Sequence, residues 1–230
     1  MATYAATRDR VEHYFDRSAT KVWERLTSDA PVSGIRATVR AGRDRMRALM
    51  LDQLPGDLRG ARVLDAGCGT GAMAVELAAR GADVVAVDIS PALITIAEQR
   101  MPERLTGRIT WRAGDMLDPA HGAFDHIVAM DSMIYYGADD IAALLAEAAP
   151  RLSGRFVFTL PPRTPALMAM WRLGRLFPRS DRSPTMIPHA PAGIAEAMRR
   201  VDVPGRLREV ERVSSGFYIS TALVFEGHTP

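Results

Sequence analysis

The sequence predicts an α/β fold in which helices pack on both faces of a mostly parallel sheet. Short apolar stretches alternate with helical stretches through the middle of the 230-residue chain, a pattern typical of parallel strand–helix–strand units. A glycine-rich turn follows the first apolar stretch. Near the end of the chain two such stretches come in direct succession, which predicts a closing antiparallel hairpin. The length suits one domain of this kind with an appendage.

The appendage is predicted to be an N-terminal helical arm over residues 1–55. Apolar residues recur there at helical spacing, with arginines on the other face: Ile35, Val39, Met46, Leu49, Met50 and Leu54. This stripe predicts a helix over 35–54, and an earlier pair of helices is predicted around 4–15 and 19–27. Two roles stay open for the arm, a lid that closes over bound ligands or a packing helix that covers the sheet.

The core is predicted to occupy residues 56–230. Its first strands are predicted at 61–65, 83–88, 108–112, 124–130 and 155–160, and its helices at 71–80, from Pro91 onward and at 139–152. The continuous apolar character of 83–88 predicts a strand that is buried on both faces. Ser90 is the expected N-cap of the helix at Pro91, because a proline in the first turn loses no hydrogen bond.

The last part of the chain differs in character. A proline- and arginine-rich insert over 161–191 is followed by a predicted helix at 192–201 and by strands at 206–213 and 217–225, with a turn at 214–216. Within the insert, 164–182 has the pattern of a basic amphipathic helix. It could meet a membrane surface or a partner, or it could cover a substrate pocket, and both interpretations stay open.

Composition and charge limit the function classes. Cys68 is the only cysteine, so no internal disulfide and no cysteine-based zinc site can form. The first residues lack the apolar stretch of a signal peptide, and no apolar run approaches the ~20 residues that span a bilayer, so we expect a cytoplasmic protein. Acidic residues dominate 61–150, whereas arginines dominate both flanks. This division predicts a cationic ligand for the middle and an anionic ligand for the flanks; no nucleic-acid partner is expected.

The glycine-rich turn is the strongest local motif. It runs from Val63 to Gly71, and glycines at a strand-to-helix turn let a ligand approach the backbone. Asp88 ends the second strand, where its carboxylate can accept hydrogen bonds from ribose hydroxyls. Asp115 follows the third strand and can accept from an adenine amino group. Because these strand ends meet at the carboxyl edge of one sheet, they predict a nucleoside site there.

A nicotinamide cofactor is the rival of a different class. Gly67, Gly69 and Ala72 fit the spacing of a dinucleotide fingerprint. Asp65 argues against a nicotinamide cofactor, because its negative charge would lie unfavourably close to the pyrophosphate. The same charge is favourable beside a sulfonium or ammonium group. The chain also offers no second domain for a hydride acceptor.

The segments 65–71, 88–90 and 114–116 together resemble the class I S-adenosylmethionine-dependent methyltransferases. The resemblance implies a Rossmann-like fold with a seven-stranded sheet whose last strand is reversed. It implies S-adenosyl-L-methionine as cofactor and S-adenosyl-L-homocysteine as product. The cofactor residues that it implies are Asp65, Gly67, Cys68, Gly69, Gly71, Asp88, Ile89, Ser90, Asp115, Met116 and Met130.

Other stretches resemble the magnesium-protoporphyrin IX O-methyltransferases, in the style of the bacteriochlorophyll branch: 14–16, 23–25, 35–42, 130–136, 158–163 and 173–178 with 189–190. This resemblance implies methylation of one propionate of the porphyrin, with Mg²⁺ arriving in the substrate and no metal bound by the protein. It also implies contact with the porphyrin-carrying subunit of magnesium chelatase, whereas a peripheral membrane contact rests on the pattern of 164–182 alone. Plant and cyanobacterial members tend to have histidine where this chain has Tyr135, so no base role transfers to Tyr135.

The chemistry agrees with that resemblance. A propionic acid titrates at about 4 to 4.5, so at neutral pH it is already a carboxylate and needs no general base. A phenolic quinone or polyketide, the rival substrate class, titrates near ~10 and would need one. A non-catalytic porphyrin or cofactor carrier is a further alternative. For a carboxylate, positioning alone can supply about 7–11 kcal/mol of the barrier reduction.

Candidates for the substrate side follow from this chemistry and from the resemblance. Those for substrate binding are Tyr14, Arg36, Arg40, Tyr136 and Arg163. Arginine suits a carboxylate because its guanidinium binds both oxygens. The catalytic candidates are Tyr135, His189 and Asp131. His189 could bind the substrate Mg²⁺ or a propionate, or be a surface residue, and Asp131 could lie beside the methionine part or cap the next helix.

Overall fold

The computed structural model describes residues 4–14, 34–165, 167–169 and 185–227. Seven strands in these ranges form one sheet: β1 (Arg62–Ala66), β2 (Asp83–Asp88), β3 (Arg108–Ala113), β4 (His126–Ala129), β5 (Arg155–Leu160), β6 (Gly205–Ser215) and β7 (Tyr218–Gly227). Their spatial order is β3-β2-β1-β4-β5-β7-β6. Strands β1 to β5 run parallel, and β7 is antiparallel to both β5 and β6. The predicted sheet with its reversed C-terminal strand is confirmed.

Helices cover both faces of this sheet. They are α1 (Tyr4–Tyr14), α2 (Gly34–Leu51), α3 (Ala72–Ala79), α4 (Pro91–Gln99), α5 (Ala138–Ala148) and α6 (Pro191–Arg200). Buried side chains of α5 and α6 belong to the apolar core on one face, and those of α2 and α3 belong to the core on the other. Strand β2 is buried from Val84 onward, as its apolar sequence predicts. Within the described ranges, no helix combines the length and apolar character needed to cross a bilayer.

Local signals account for the helix starts at the carboxyl edge. The Ser90 hydroxyl accepts a hydrogen bond from the Leu93 amide at 3.4 Å, so Ser90 is the N-cap of α4 as predicted. Helix α3 begins at Ala72 instead of Gly71, because Gly71 is left-handed with φ 85°. A Cβ atom at Gly71 would lie 2.5 Å from the Trp111 ring, so only glycine fits there.

The arm helix α2 packs against the closing hairpin. Met46, Met50 and Leu51 are buried, and a Cβ atom at Gly42 would lie only 2.8 Å from the Tyr218 ring. The start of the predicted stripe is wrong, since Ile35 is 59% exposed. Ile35 lies about one helical turn before Thr38, whose carbonyl accepts a hydrogen bond from the Ser215 hydroxyl of the hairpin at 2.8 Å.

Other boundaries of the strands and helices differ from the predicted ones for identifiable reasons. Strand β6 continues through Ser215, so the hairpin turn lies at 216–217 and begins two residues later than predicted. The predicted helix 139–152 ends as an α-helix at Ala148, and a short 3₁₀ turn, Ala149–Arg151, accommodates the proline at 150. The predicted helix at 19–27 and most of the predicted amphipathic helix at 164–182 lie outside the described residues.

Candidate active site

A cavity of about 410 Å³ opens at the carboxyl edge of β1, β2 and β4. Its size is in the range of small-molecule sites. Most of the predicted cofactor residues line it: Asp65, Gly67, Cys68, Gly69, Asp88, Ile89, Asp115, Met116 and Met130. Gly71 and Ser90 are outside the lining and shape the starts of α3 and α4. Side chains of α1 and α2 form the opposite wall.

The glycine turn lies directly against strand β2 and the segment that follows β4. The amides of Gly67 and Cys68 donate to the Val87 carbonyl at 2.8 and 3.0 Å. Gly67 is left-handed with φ 79°, and a Cβ atom there would overlap the Cβ of Ser132. The Ser132 hydroxyl in turn donates to the Ala66 carbonyl at 2.7 Å. The turn is therefore held rigidly, with its backbone exposed to the cavity.

Asp65 is a buried acidic residue in the cavity wall. Its side chain is 1% exposed, and among the described residues its Oδ2 atom has no hydrogen-bond partner. Burial, together with the nearby Asp88 carboxylate, raises the pKa of Asp65 to about 7. The Ala74 amide, which bonds to the carboxyl group, only partly offsets this shift, and a buried carboxylate oxygen without a partner is costly. A cationic ligand group beside it would remove this cost, so the ammonium and sulfonium groups of S-adenosylmethionine fit the site.

Asp88 is held at the end of β2 by backbone amides. Its Oδ2 accepts from the Gly69 amide at 2.8 Å, and its Oδ1 accepts from the Ser90 amide at 2.9 Å. These bonds fix the carboxylate at the cavity wall. A carboxylate oxygen has two acceptor positions, so this anchoring is compatible with hydrogen bonds from ribose hydroxyls.

Asp115 meets the arm helix α1. Its Oδ1 accepts from the Tyr4 hydroxyl at 2.7 Å and from the Leu117 amide at 3.0 Å, and its Oδ2 accepts from Arg8 Nη1 at 3.1 Å. Burial alone would raise the pKa of Asp115, but these three hydrogen bonds outweigh it and lower the pKa. The Tyr4 ring stacks on Tyr136 with centroids 5.1 Å apart.

Asp131 links the arm to the sheet. Its Oδ2 pairs with Arg43 Nη1 of α2 at 2.6 Å, and its Oδ1 accepts from the Thr159 hydroxyl at 3.0 Å and the Tyr218 hydroxyl at 3.1 Å. Asp131 is left-handed with φ 58°, an uncommon conformation for a residue other than glycine. It does not cap α5, because Gly137 precedes the first residue of that helix.

The substrate and catalytic candidates fall into two groups. Arg40, Asp131, Tyr135 and Tyr136 line the cavity, whereas Tyr14, Arg36, Arg163 and His189 do not. Arg36 and Arg163 are exposed. His189 is buried, its Nε2 donates to the Tyr136 carbonyl at 2.9 Å, and its burial lowers the pKa of the imidazole. Of the described residues, none form a cluster of three groups that could hold a metal ion.

The sequence interpretation missed several cavity residues from the arm: Tyr4, Arg8, Val11, Arg43, Asp44 and Arg47. Arg43 and Arg47 follow Arg40 by three and seven residues, so helical spacing alone places them on the same face as Arg40. For α2, the sequence therefore contained the information needed to find these residues. No comparable signal indicates that α1 folds back onto Asp115, 111 positions further along the chain.

The seven-stranded sheet with its reversed last strand, and the acid-lined cavity at its carboxyl edge, define a class I S-adenosylmethionine-dependent methyltransferase. A general methyltransferase domain model matches residues 63–153, and the model for the C-terminus of magnesium-protoporphyrin IX methyltransferase matches residues 129–226. The magnesium-protoporphyrin O-methyltransferase of Rhodobacter capsulatus is 57% identical over 96% of this chain and 97% of its own length. The chain belongs to the magnesium-protoporphyrin O-methyltransferase family.

Two further likenesses are informative. The crystal structure of magnesium protoporphyrin IX methyltransferase from Synechocystis with bound S-adenosylhomocysteine superimposes with a TM-score of 0.78 at 26% identity, covering 95% of this chain and 98% of that one. A ubiquinone biosynthesis O-methyltransferase of Xanthomonas oryzae pv. oryzae is 33% identical, but over only 54% of either chain. The similarity to the quinone enzyme therefore covers about half of this chain, whereas the similarity to these two porphyrin enzymes covers nearly all of it.

Proposed function

We propose that this protein transfers a methyl group from S-adenosyl-L-methionine to a propionate carboxylate of Mg-protoporphyrin IX. The products are the monomethyl ester, an intermediate of bacteriochlorophyll biosynthesis, and S-adenosyl-L-homocysteine. The observation that carries this function is the 57% identity with the Rhodobacter capsulatus enzyme over nearly the whole of both chains. The cavity adds an independent physical argument, because its buried acids suit a cationic nucleoside.

The proposed cofactor position follows from those acids. Asp65 faces the cationic methionine end, because its buried Oδ2 lacks a partner among the described residues. Asp88, fixed by the Gly69 and Ser90 amides, receives the ribose hydroxyls. Asp115 lies at the adenine end, where Tyr4 and Arg8 already occupy part of its hydrogen-bonding capacity. The adenine amino group then shares this carboxylate with α1.

The reaction needs no proton transfer. A carboxylate oxygen forms a bond to the methyl carbon while the bond from carbon to sulfur breaks, and its electron pair stays on sulfur. The anionic carboxylate becomes a neutral ester, and the cationic sulfonium becomes a neutral thioether. What the protein contributes is alignment of oxygen, carbon and sulfur and exclusion of water, which strengthens every charge interaction in the cavity.

On the substrate side we propose Arg40, Tyr135 and Tyr136, since they line the same cavity. Tyr14, Arg36 and Arg163 lie further out, and we propose that they meet the porphyrin rim or its second propionate. For His189, the bond to the Tyr136 carbonyl supports a positioning role through Tyr136. We further propose that residues 1–55 act as a lid on the core, 56–230, and that the insert at 161–191 covers the substrate.

We also propose that the protein works in the cytoplasm with peripheral contact to a membrane surface and to the porphyrin-carrying subunit of magnesium chelatase. A flat apolar substrate favours direct transfer over release into water. Ile35 and Phe217 are 59% and 75% exposed on adjoining elements, and Arg36 lies beside Ile35. Flotation with anionic vesicles, and gel filtration with the purified subunit, test these two contacts separately.

The function is tested by incubating the purified protein with labelled S-adenosylmethionine and Mg-protoporphyrin IX and measuring the product mass. A gain of one methyl group on the porphyrin is expected. Cofactor binding without turnover would instead identify a carrier. Methylation of a quinone phenol alone would identify the rival substrate class. Thermal protection by a nicotinamide cofactor, and none by S-adenosylhomocysteine, would identify an oxidoreductase.

A further inference from the structure

The ion pair between Arg43 and Asp131 lies inside the cavity. The pair is mostly buried, with side-chain exposures of 19% for Arg43 and 9% for Asp131, and both residues line the cavity that Asp65 and Asp88 also line. Asp131 is the second residue after β4, the strand that neighbours β1. The pair therefore lies near the proposed methionine end of the cofactor, where the methyl group is transferred.

Asp131 is fixed more firmly than an ordinary surface acid. Its amide donates to the Thr159 hydroxyl at 2.8 Å, and that hydroxyl donates back to Oδ1 of the same residue. Tyr218 of β7 adds a second hydroxyl donor to Oδ1. The left-handed backbone of Asp131 costs free energy, and residues held in this way concentrate at functional sites. Strands β5 and β7 thus hold one anion in place facing α2.

Arg43 is the group that this anion faces. On α2 it lies between Arg40 and Arg47, and helical spacing places all three side chains on the cavity side. The guanidinium has five N–H donors in a plane, which suits a carboxylate. A second carboxylate in the cavity, brought by the substrate, would compete with or share the hydrogen bonds of Arg43.

We propose that Arg43 orients the methyl-accepting carboxylate of the substrate and that Asp131 is the positioning residue that balances the charge of Arg43. The inference rests on the proposed function. An unbalanced cation would stabilise the ionised carboxylate more than the transition state, in which the oxygen has already lost part of its charge to the methyl group. Asp131 shares the Arg43 charge. The guanidinium then aligns the carboxylate without suppressing its nucleophilicity.

The two residues therefore have opposite kinetic signatures. Replacing the guanidinium, in Arg43→Gln, removes a charge-assisted hydrogen bond to the substrate and should raise the KM for Mg-protoporphyrin about tenfold or more. Asp131→Asn removes the negative charge that Asp131 places beside Arg43. Its KM for the porphyrin should stay unchanged or fall, while its kcat falls about tenfold. Asparagine also accepts the left-handed backbone, so this variant is conservative.

The control is Arg45→Gln. Arg45 belongs to the same helix and pairs with Glu211 of the closing hairpin at 2.7 Å, but that pair is exposed and outside the cavity. We expect wild-type kinetics from it. A second readout isolates carboxylate recognition: the Kd of the dimethyl ester of Mg-protoporphyrin, which has no carboxylate, should be the same for wild type and Arg43→Gln.

Three results would overturn the inference. One is an unchanged KM in Arg43→Gln with intact S-adenosylhomocysteine binding. The second is an equal loss of affinity for the free acid and the dimethyl ester. The third is a rise in KM in Asp131→Asn that matches Arg43→Gln, as a simple latch between arm and sheet would produce. If Arg43→Gln does not fold, the same measurements are made on Arg43→Lys. Absence of turnover in the wild type would instead contradict the proposed function itself.

Discussion

The hydroxyl of Tyr4 donates to Asp115 Oδ1 at 2.7 Å and joins the first described helix to the loop after β3. Arg8, one helical turn later, donates to the other oxygen of the same carboxylate. Burial and this hydrogen bond raise the pKa of Tyr4, so Tyr4 remains a neutral donor. One acidic side chain therefore both borders the proposed adenine end and holds α1 on the core.

Tyr4→Phe should loosen α1 while keeping the ring that stacks on Tyr136. The lost hydrogen bond is worth about 1 kcal/mol. The pKa of Asp115 is lowered in the folded state, so this stabilisation is present at neutral pH and is lost as the pH falls below the usual aspartate range. Urea unfolding at pH 7 and at low pH measures the difference. An equal effect of the variant at both pH values would contradict the assignment.

The raised pKa of Asp65 should make stability depend on pH in the opposite direction from Asp115. Its folded-state pKa is raised to about 7, so the unfolded state loses its proton first, and the stability of the cofactor-free protein should fall as pH rises from about 4 to 7. Asp65→Asn should flatten this part of the profile and stabilise the cofactor-free protein at pH 8. The same variant should bind S-adenosylmethionine about tenfold more weakly, because the cationic end loses its counter-charge.

Calorimetry and thermal melting over this pH range check both effects. Wild-type protein should release protons on binding S-adenosylmethionine below pH 7, because the cation favours the ionised form of Asp65. Asp125 offers a matched control. It lies at the opposite edge of the sheet, where the Arg62 amide lowers its pKa, and Asp125→Asn should leave cofactor binding unchanged. Identical proton release by wild type and Asp65→Asn would exclude Asp65 as the responsive group.

The sheet and the cofactor edge follow from local patterns. The span of β2, the cap at Ser90 and the left-handed glycines depend on neighbouring residues, and the sequence is enough to predict them. What the sequence could not provide is contact between distant segments. The hydrogen bond from Tyr4 to Asp115 and the pairing of Arg43 with Asp131 depend on how the arm packs on the core. The exposure of Ile35 has the same origin, because helical spacing predicts a stripe but not how much of it the core covers.

Gly67 and Gly69 form a matched pair in the glycine turn. Both are left-handed, which costs about 1–2 kcal/mol for an alanine. A Cβ atom at Gly67 would also overlap Ser132, whereas a Cβ atom at Gly69 meets nothing within 4 Å. Gly67→Ala should therefore destabilise the protein clearly more than Gly69→Ala. Gly69→Ala should lose cofactor affinity with a modest loss of stability. Urea unfolding and titration with S-adenosylhomocysteine separate the two effects, and equal destabilisation would argue against the steric reason.

Arg163 and Arg40 differ in their access to the cavity. Arg40 lines it, whereas Arg163 is exposed beyond the end of β5. Both Arg40→Ala and Arg163→Ala should raise the KM for the porphyrin, with little effect on S-adenosylhomocysteine affinity. The effect of Arg163→Ala should be smaller and should weaken in salt, because exposed charges are screened. A porphyrin KM that stays at the wild-type value in Arg163→Ala would remove this residue from the substrate site.

His189 bonds to the backbone that carries Tyr136. Its Nε2–H donates to the Tyr136 carbonyl, and its own amide donates to the Pro161 carbonyl at 2.8 Å. Burial lowers the pKa of His189 and so favours the neutral imidazole, and the Tyr136 carbonyl fixes the tautomer with its hydrogen on Nε2. His189→Gln retains an N–H donor and should keep much of the turnover, whereas His189→Ala should lower kcat and reduce the melting temperature.

If His189 instead binds the substrate Mg²⁺, both variants should lose affinity for Mg-protoporphyrin relative to metal-free protoporphyrin. Fluorescence titration with the two porphyrins distinguishes these roles, since positioning through Tyr136 predicts the same affinity ratio in every variant.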